Sequence, residues 1–402
     1  MSALLATVFC FGAVSDMSDI DRDELVVFFP TTGRQTADGA AWELTIHGWI
    51  FEPEISAVTL EYLRRKLGIG DADLAPGERA VFGRRAAAFL VDNERGEIVS
   101  IRLGDNTYPL PKSAANGHFT GRVTLSIAEV ERLRTRGDDG RWRIAFRAVT
   151  RQGDERVFEG HVLLLEPTGI SVVSDIDDTI KITEVRDREA MLRNTFLRSF
   201  KVVPGMADVY RSWAKEQGAT FHYVTASPWQ LYDPLSVFLA ESSFPSGTFH
   251  MKLFRWKDRS FFSLFGSPRE FKIGVIEPML KAHPQRRFVL VGDSGEKDPE
   301  AYGELARRYP QQVVRIFICD ATGEPSDGAR YKSAFAGVPA ETWRVFREAE
   351  EIKDLRLPET STQREARAIH WLHGSARNGR DACTSITVSG VRTYRAPITK
   401  TD

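Results

Sequence analysis

The apolar run Gly169-Ile-Ser-Val-Val-Ser174 stops abruptly at Asp175-Ile-Asp177-Asp178-Thr179. A short, unbroken apolar run of this kind reads as a strand buried on both faces, which is the signature of a parallel sheet covered by helices. In such sheets ligand sites lie at the carboxyl ends of the strands, so the acidic cluster falls where chemistry is expected. Carboxylates this close together repel, and a bound divalent cation is the simplest way to offset that repulsion.

A second segment repeats the pattern. Arg287-Phe-Val-Leu-Val291 runs into Gly292-Asp293-Ser-Gly-Glu-Lys-Asp298-Pro299. Gly292 lets the backbone approach an ion or a phosphate closely, and Asp293 emerges at the strand tip. Between the two lies Thr220-Phe-His-Tyr-Val224, ending in Thr225-Ala-Ser227-Pro228-Trp229, where a hydroxyl can donate to a phosphoryl oxygen. Lys272 opens the amphipathic stretch to Leu280, and an ammonium at a helix start can neutralise charge on a transferring phosphoryl group. Lys252, Lys257 and Lys281 are nearby alternatives for that role.

The order of acid pair, hydroxyl, lysine and Gly-Asp-x4-Asp resembles the haloacid dehalogenase superfamily of phosphotransferases. Within it, Ser174 to Lys181, Thr225 to Tyr232 and Phe288 to Pro299 are similar to the catalytic domain of the actin-patch-type, magnesium-dependent phosphatidate phosphatases. The likeness extends upstream to Trp42–Pro53. It implies a nucleophilic Asp175 that forms an aspartyl-phosphate, and an Asp177 acting as general acid and base. By the same resemblance Thr179 would brace the motif loop, and Thr225 and Lys272 would hold phosphoryl oxygens. Mg2+ would be bound by Asp293 beside the Asp175 side chain and the Asp177 carbonyl, with Asp298 in or next to the shell. Substrate-binding candidates are Ser227, Arg186 and Trp256.

The implied fold is α/β: a haloacid dehalogenase-like Rossmannoid parallel sheet with small cap insertions, preceded by a β-rich, sandwich-like domain. Boundaries are read as 1–23 for an N-terminal segment, 24–166 for the β-rich part, 167–356 for the phosphatase part and 357–402 for a polar, loosely ordered tail. In the β-rich part, strands are expected at Leu25–Phe29, Trp42–Phe51, Ala87–Asp92, Glu97–Leu103, Gly121–Leu125, Arg141–Val149 and Arg156–Leu165, with Asn93–Gly96 as a hairpin turn. Helices are expected at Ile55–Leu67 and after the capping box Ser126-Ile-Ala-Glu129. Downstream, helices are expected at Asp187–Phe200, Gly205–Glu216, Leu231–Glu241, Lys272–Ala282 and Asp298–Tyr309.

A formal charge of −1 over 402 residues gives no general attraction to nucleic acid, and none is expected as a partner. The three cysteines, Cys10, Cys319 and Cys383, have no metal or disulfide spacing. No segment reaches the roughly 18 apolar residues of a membrane span. The expected location is cytoplasmic or peripheral to a membrane; the alternative is export, if residues 1–15 act as a signal peptide. Phe254–Phe265 interleaves aromatic and basic residues, as a membrane-contacting segment does and as a small folded cap also does. The expected activity is magnesium-dependent hydrolysis of a phosphomonoester, phosphatidate first among phospholipid substrates. Alternatives are a phosphatase for a soluble phosphomonoester, such as a sugar phosphate or nucleic-acid end, and a catalytically silent scaffold.

Overall fold

A computed structural model describes residues 17–53, 56–70, 74–253 and 269–353. The N-terminal segment of the export alternative, the aromatic-basic stretch with Trp256 and Lys257, and the polar tail lie outside the described residues. Among those described, no helix is long and apolar enough to cross a membrane.

The N-terminal part contains strands β1 (Leu25–Phe29), β2 (Thr31–Gln35) and β3 (Ala41–Glu52), helices α1 (Ala57–Lys66) and α2 (Pro76–Ala87), and strands β4 (Asp92–Asn93), β5 (Ser100–Leu103), β6 (Asn106–Pro109) and β7 (His118–Ser126). Helix α3 (Ile127–Leu133) and strands β8 (Thr135–Arg136), β9 (Trp142–Ala148) and β10 (Glu159–Leu165) complete it. These strands form one ten-stranded sheet in the order β1-β3-β2-β10-β9-β5-β6, with β4 and β7 also pairing with β3 and β8 with β9. The hydrogen-bond ladder is thus continuous and branches at the long β3. Inward residues such as Leu44, Ile46, Ile101, Val123, Ile144 and Val162 alternate with outward ones and give this sheet its own core.

Two local readings are corrected here. Residues 76–87 form helix α2, with a proline at its start and Glu78 reaching back to the Ala75 amide, so Ala87 ends a helix and no strand spans 87–92. Asn93–Gly96 does not join two hairpin strands: β4 pairs with Phe51–Glu52 of β3, and the Gly96 amide donates to Ser113. The Ser126 capping box forms as read, Ser126 accepting from the Glu129 amide and Glu129 from the Ser126 amide.

Beyond the junction come β11 (Ile170–Ser174), α4 (Arg188–Phe196), α5 (Met206–Gln217), β12 (Thr220–Pro228), α6 (Tyr232–Glu241), β13 (Gly247–Lys252), α7 (Arg269–Ala282), β14 (Arg287–Asp293), α8 (Asp298–Arg308), β15 (Val313–Cys319), α9 (Ala329–Ala334), β16 (Trp343–Phe346) and α10 (Glu350–Lys353). The six strands are all parallel, in the order β13-β12-β11-β14-β15-β16. Successive side chains point to opposite faces and meet different helices. Val172, Val289 and Val291 join Val209, Tyr210 and Trp213 of α5, whereas Val173, Leu290 and Ile318 join Ile276 and Leu280 of α7 and Leu305 of α8. Burial on both faces explains why these strands are continuously apolar. Cys319 ends β15 as a buried, free thiol.

The two sheets share packing. Phe29, Trp49, Leu63, Phe82 and Phe89 from the N-terminal part belong to the same hydrophobic cluster as Val172, Phe221 and Trp229. Arg286 locks the junction by donating to the carbonyls of Glu166 (2.7 Å), Thr168 (2.6 Å) and Ile170 (2.9 Å) and to the Ser171 hydroxyl (3.0 Å).

Candidate active site

Strands β11, β12 and β14 are adjacent and parallel, so their carboxyl ends deliver Asp175, Thr225 and Asp293 to one place. The Asp175 amide donates to Val291 of the neighbouring strand, which fixes where the loop leaves the sheet. The loop then makes one tight turn, with the Ile180 and Lys181 amides donating to the Ile176 carbonyl. Asp178 adopts a left-handed backbone, φ 56°, and its carboxylate accepts the amides of Thr183, Glu184 and Val185, each at 2.7 Å. Three such bonds are enough to hold a non-glycine residue in this conformation.

Lys272, in the first turn of α7, is fully buried and sits among acids. Its Nζ lies 3.1 Å from Asp175 Oδ1 and 3.0 Å from Glu296 Oε2, and it pairs with Asp298 Oδ1. Asp298 reaches this position because position 292 is glycine, where any side chain would collide with the Asp298 carboxylate. The other Asp298 oxygen accepts the Asp293 amide at 3.1 Å. Asp293 Oδ1 accepts the amides of Gly295 (2.6 Å) and Glu296 (3.1 Å), whereas its Oδ2 is buried without a hydrogen-bond partner. Arg330 of α9 braces the same loop by donating to the carbonyls of Ser294 and Glu296.

Four carboxylates therefore face one ammonium. Burial, reinforced by the neighbouring acids against the pull of Lys272, drives Asp175 well above the usual carboxylate range. Burial likewise raises Asp293 and Asp298 and pushes Glu296 up to about 7. Burial works against the Lys272 charge, but Asp175, Asp298 and Glu296 outweigh it and keep the ammonium protonated. Both partners in the Lys272–Asp175 pair move upward; with one cation among four acids, the ammonium keeps its charge and the carboxyls crowd toward neutrality. Ligand oxygens of Asp175, Asp293 and Glu296 lie within 4.8 Å of one another. A hard divalent cation fits this oxygen donor set, and the unpartnered Asp293 Oδ2 is an oxygen available to it.

Asp177, two residues from Asp175, faces the other way. Its Oδ1 accepts the Thr183 hydroxyl at 2.7 Å and pairs with Lys181 Nζ at 2.8 Å; its Oδ2 accepts the Thr225 (2.9 Å) and Ser227 (3.0 Å) hydroxyls. Burial pushes its pKa up, but Lys181 and these hydroxyls overcome that and hold it at about 2. Thr179 Oγ1 lies 3.4 Å from Asp175 Oδ2, a long contact consistent with bracing.

The structure thus gathers Asp175, Asp177, Thr179, Thr225, Ser227, Lys272, Asp293 and Asp298 around one strand-tip pocket. Arg186 is exposed on the loop before α4, its aliphatic stem beside Gly295, and it lines a shallow hollow with Asp178, Glu184 and Asp320. Trp256 lies outside the described residues. Of the alternative lysines, Lys252 is at the end of β13 and Lys281 pairs with Glu277 at 3.4 Å, whereas Lys272 is the one that meets Asp175. Sequence reasoning missed Glu296, Lys181 and Thr183. All three lie inside or beside the quoted motifs, but spacing alone does not say which carboxylate turns inward.

The loop after β12 is clasped from the N-terminal sheet. Trp229 meets Phe29 at 4.1 Å between ring centroids and His47 edge-on at 4.8 Å, while Tyr232 meets Phe29 at 4.8 Å. His47 Nε2 and His118 Nδ1 are 3.1 Å apart, and burial depresses their pKa values to about 3 and about 4.

Residues 170–320 match the family described as phosphatidate phosphatase APP1, catalytic domain. The phosphatidate phosphatase APP1 of Saccharomyces cerevisiae is 34% identical over 195 residues, covering 48% of this chain and 31% of the yeast protein. An uncharacterized protein of Schizosaccharomyces pombe is 29% identical over 173 residues, covering 42% of this chain and 28% of that protein. The chain matches these curated relatives over about a third of their length.

Proposed function

We propose that this chain, whose residues 170–320 match the phosphatidate phosphatase APP1 catalytic-domain family, is a magnesium-dependent phosphatase that converts phosphatidate to diacylglycerol and phosphate. The observation that carries the reading is the convergence of Asp175, Lys272 and the Asp293–Glu296 loop at the tips of adjacent parallel strands, with a carboxylate oxygen left unpartnered.

In this reading an Asp175 oxygen attacks phosphorus while the bond to the lipid alkoxide breaks, leaving an aspartyl-phosphate. Asp177 protonates the alkoxide, then takes a proton from the water that opens the aspartyl-phosphate. Its contact with Lys181 keeps it ionised in this state, so the donating half requires that Asp177 first take up a proton, and the Thr225 and Ser227 hydroxyls aim it. Thr225, expected to hold a phosphoryl oxygen, is in this state a positioning partner of Asp177. Lys272 neutralises charge on the phosphoryl oxygens and keeps Asp175 and Asp298 in place. Asp175, Asp293 and Glu296 are the residues that would hold magnesium, with Asp298 beside them; the ion supplies positive charge for the phosphoryl group and offsets the crowded acids.

The deciding experiment is phosphate release from phosphatidate in detergent micelles, with and without magnesium. Magnesium-dependent release is expected. If a soluble ester is turned over but phosphatidate is not, the lipid assignment fails and the phosphatase chemistry stands; turnover of neither ends both.

A further inference from the structure

A second site of different character lies on the N-terminal sheet. Along β9 the inward side chains Ile144, Phe146 and Ala148 are buried in the core, so Arg143, Ala145 and Arg147 all face outward. The small Ala145 between two arginines leaves a recess. Arg102 of β5 stands directly opposite Arg147, and His161 of β10 directly opposite Ala145. Together with Gly104 and Glu159 they line a hollow of about 470 Å3, within the ~300–1,000 Å3 typical of small-ligand sites.

The hollow is electrostatically incomplete. Like charges directly opposed on antiparallel strands destabilise a sheet, and neither Arg102 nor Arg147 has an ion pair or hydrogen bond among the described residues. Glu159 lies opposite Arg147 in register but makes no ion pair with it. Arg143 donates to Asp139 at 2.8 Å, yet its Nε is buried without a partner. The facing Arg102 and Arg147, with Arg143 at the edge of the same hollow, offer forked N–H donors of the kind a phosphate group takes, beside a small, methyl-floored recess.

We propose that this hollow is a non-catalytic recognition site for a phosphate-bearing ligand, built from Arg102, Arg143 and Arg147 around Ala145. It shares no residue with the acid pocket, so it does not depend on the catalytic reading.

The test uses the full chain with EDTA present, so that the acid pocket holds no cation. One arm titrates glycerol 3-phosphate by calorimetry; the other measures sedimentation with phosphatidylcholine vesicles, with and without phosphatidylglycerol. Replacing Arg102→Gln and Arg147→Gln together should weaken binding about tenfold in at least one arm. Turnover of para-nitrophenyl phosphate, measured separately with magnesium and no EDTA, should be unchanged. Loss in the first arm identifies a free phosphate ester as the ligand, and loss in the vesicle arm alone identifies a lipid headgroup. Ala145→Glu separates binding from folding: a carboxylate in the recess should abolish binding without lowering the melting temperature. The proposal is overturned if the wild type binds in neither arm, or if the double variant or Ala145→Glu binds as the wild type does.

Discussion

Among the described residues, two groups of three acids bring their oxygens within 4.8 Å of one another: Asp175, Asp293 and Glu296 at the tips of the parallel sheet, and Glu24, Glu94 and Glu97 on the N-terminal part. Proximity is the same in both; the surroundings are not. In the first group Asp175 and Asp293 are fully buried, Asp293 Oδ2 lacks a partner, and Lys272 is set among the acids. In the second, Glu94 and Glu97 are partly exposed and Glu24 already accepts the Asp21 amide at 2.7 Å. Water and a local turn answer the needs of the second group. Clustered carboxylates therefore identify a site only when burial has removed water and the chain has left oxygens unsatisfied.

Substitutions sharpen that contrast. The largest effect is expected at Asp175, where Asn removes the proposed nucleophile: phosphate release should fall by about 10³-fold or more with the fold intact by circular dichroism. Activity near the wild-type level would refute the covalent route. Next is Lys272→Met, which removes the ammonium paired with Asp175. Leaving those buried acids without it should lower metal-free stability by about 3–5 kcal/mol in urea unfolding, with part of the loss recovered when magnesium is added.

Within the catalytic pocket, Asp293→Asn should weaken magnesium binding about 10–100-fold by calorimetry, whereas Asp177→Asn should leave it nearly intact and slow turnover. Equal losses of metal affinity would erase the division between the two residues. The smallest effect, opposite in sign, belongs to the other cluster. Burial raises Glu24 from its ordinary 4.5 to about 6, so its stabilising contribution is present below pH 4.5 and is lost as pH rises through about 6. Glu24→Gln should therefore raise the melting temperature at pH 7, by roughly 1–2 kcal/mol of stability, with no gain below pH 4.5. A gain independent of pH would point to packing instead.

Much of the pocket was legible because its signals are local. Continuous apolar runs at 170–174, 220–224 and 287–291 mark strands buried on both faces, and each leads into residues of the candidate site. What escaped depends on contacts between distant parts. Thr31–Gln35, interrupted by Gly33, is a strand only because β3 and β10 flank it. Helix α2 did carry a start signal, Pro76 followed by Glu78, that the apolar pattern around Ala87 outweighed. Glu296 turns inward because Asp293 accepts its amide and Arg330 holds its carbonyl, and no residue spacing encodes that.

The ring contacts between Phe29, His47 and Trp229 bear on how such a protein can be inherited. The segment that carries the acid motifs looks transferable on paper, with a clean start at Gly169. Yet Trp229 follows Ser227 by two positions, and its seat is built by a strand 200 positions earlier in the chain. A recombination event that moved only residues 167–356 into a new host would leave that indole uncovered and the hydroxyls facing Asp177 unsupported. Lineages that keep the acid motifs must also keep an aromatic seat for this loop, whether from this sheet or from a replacement that fills the same space.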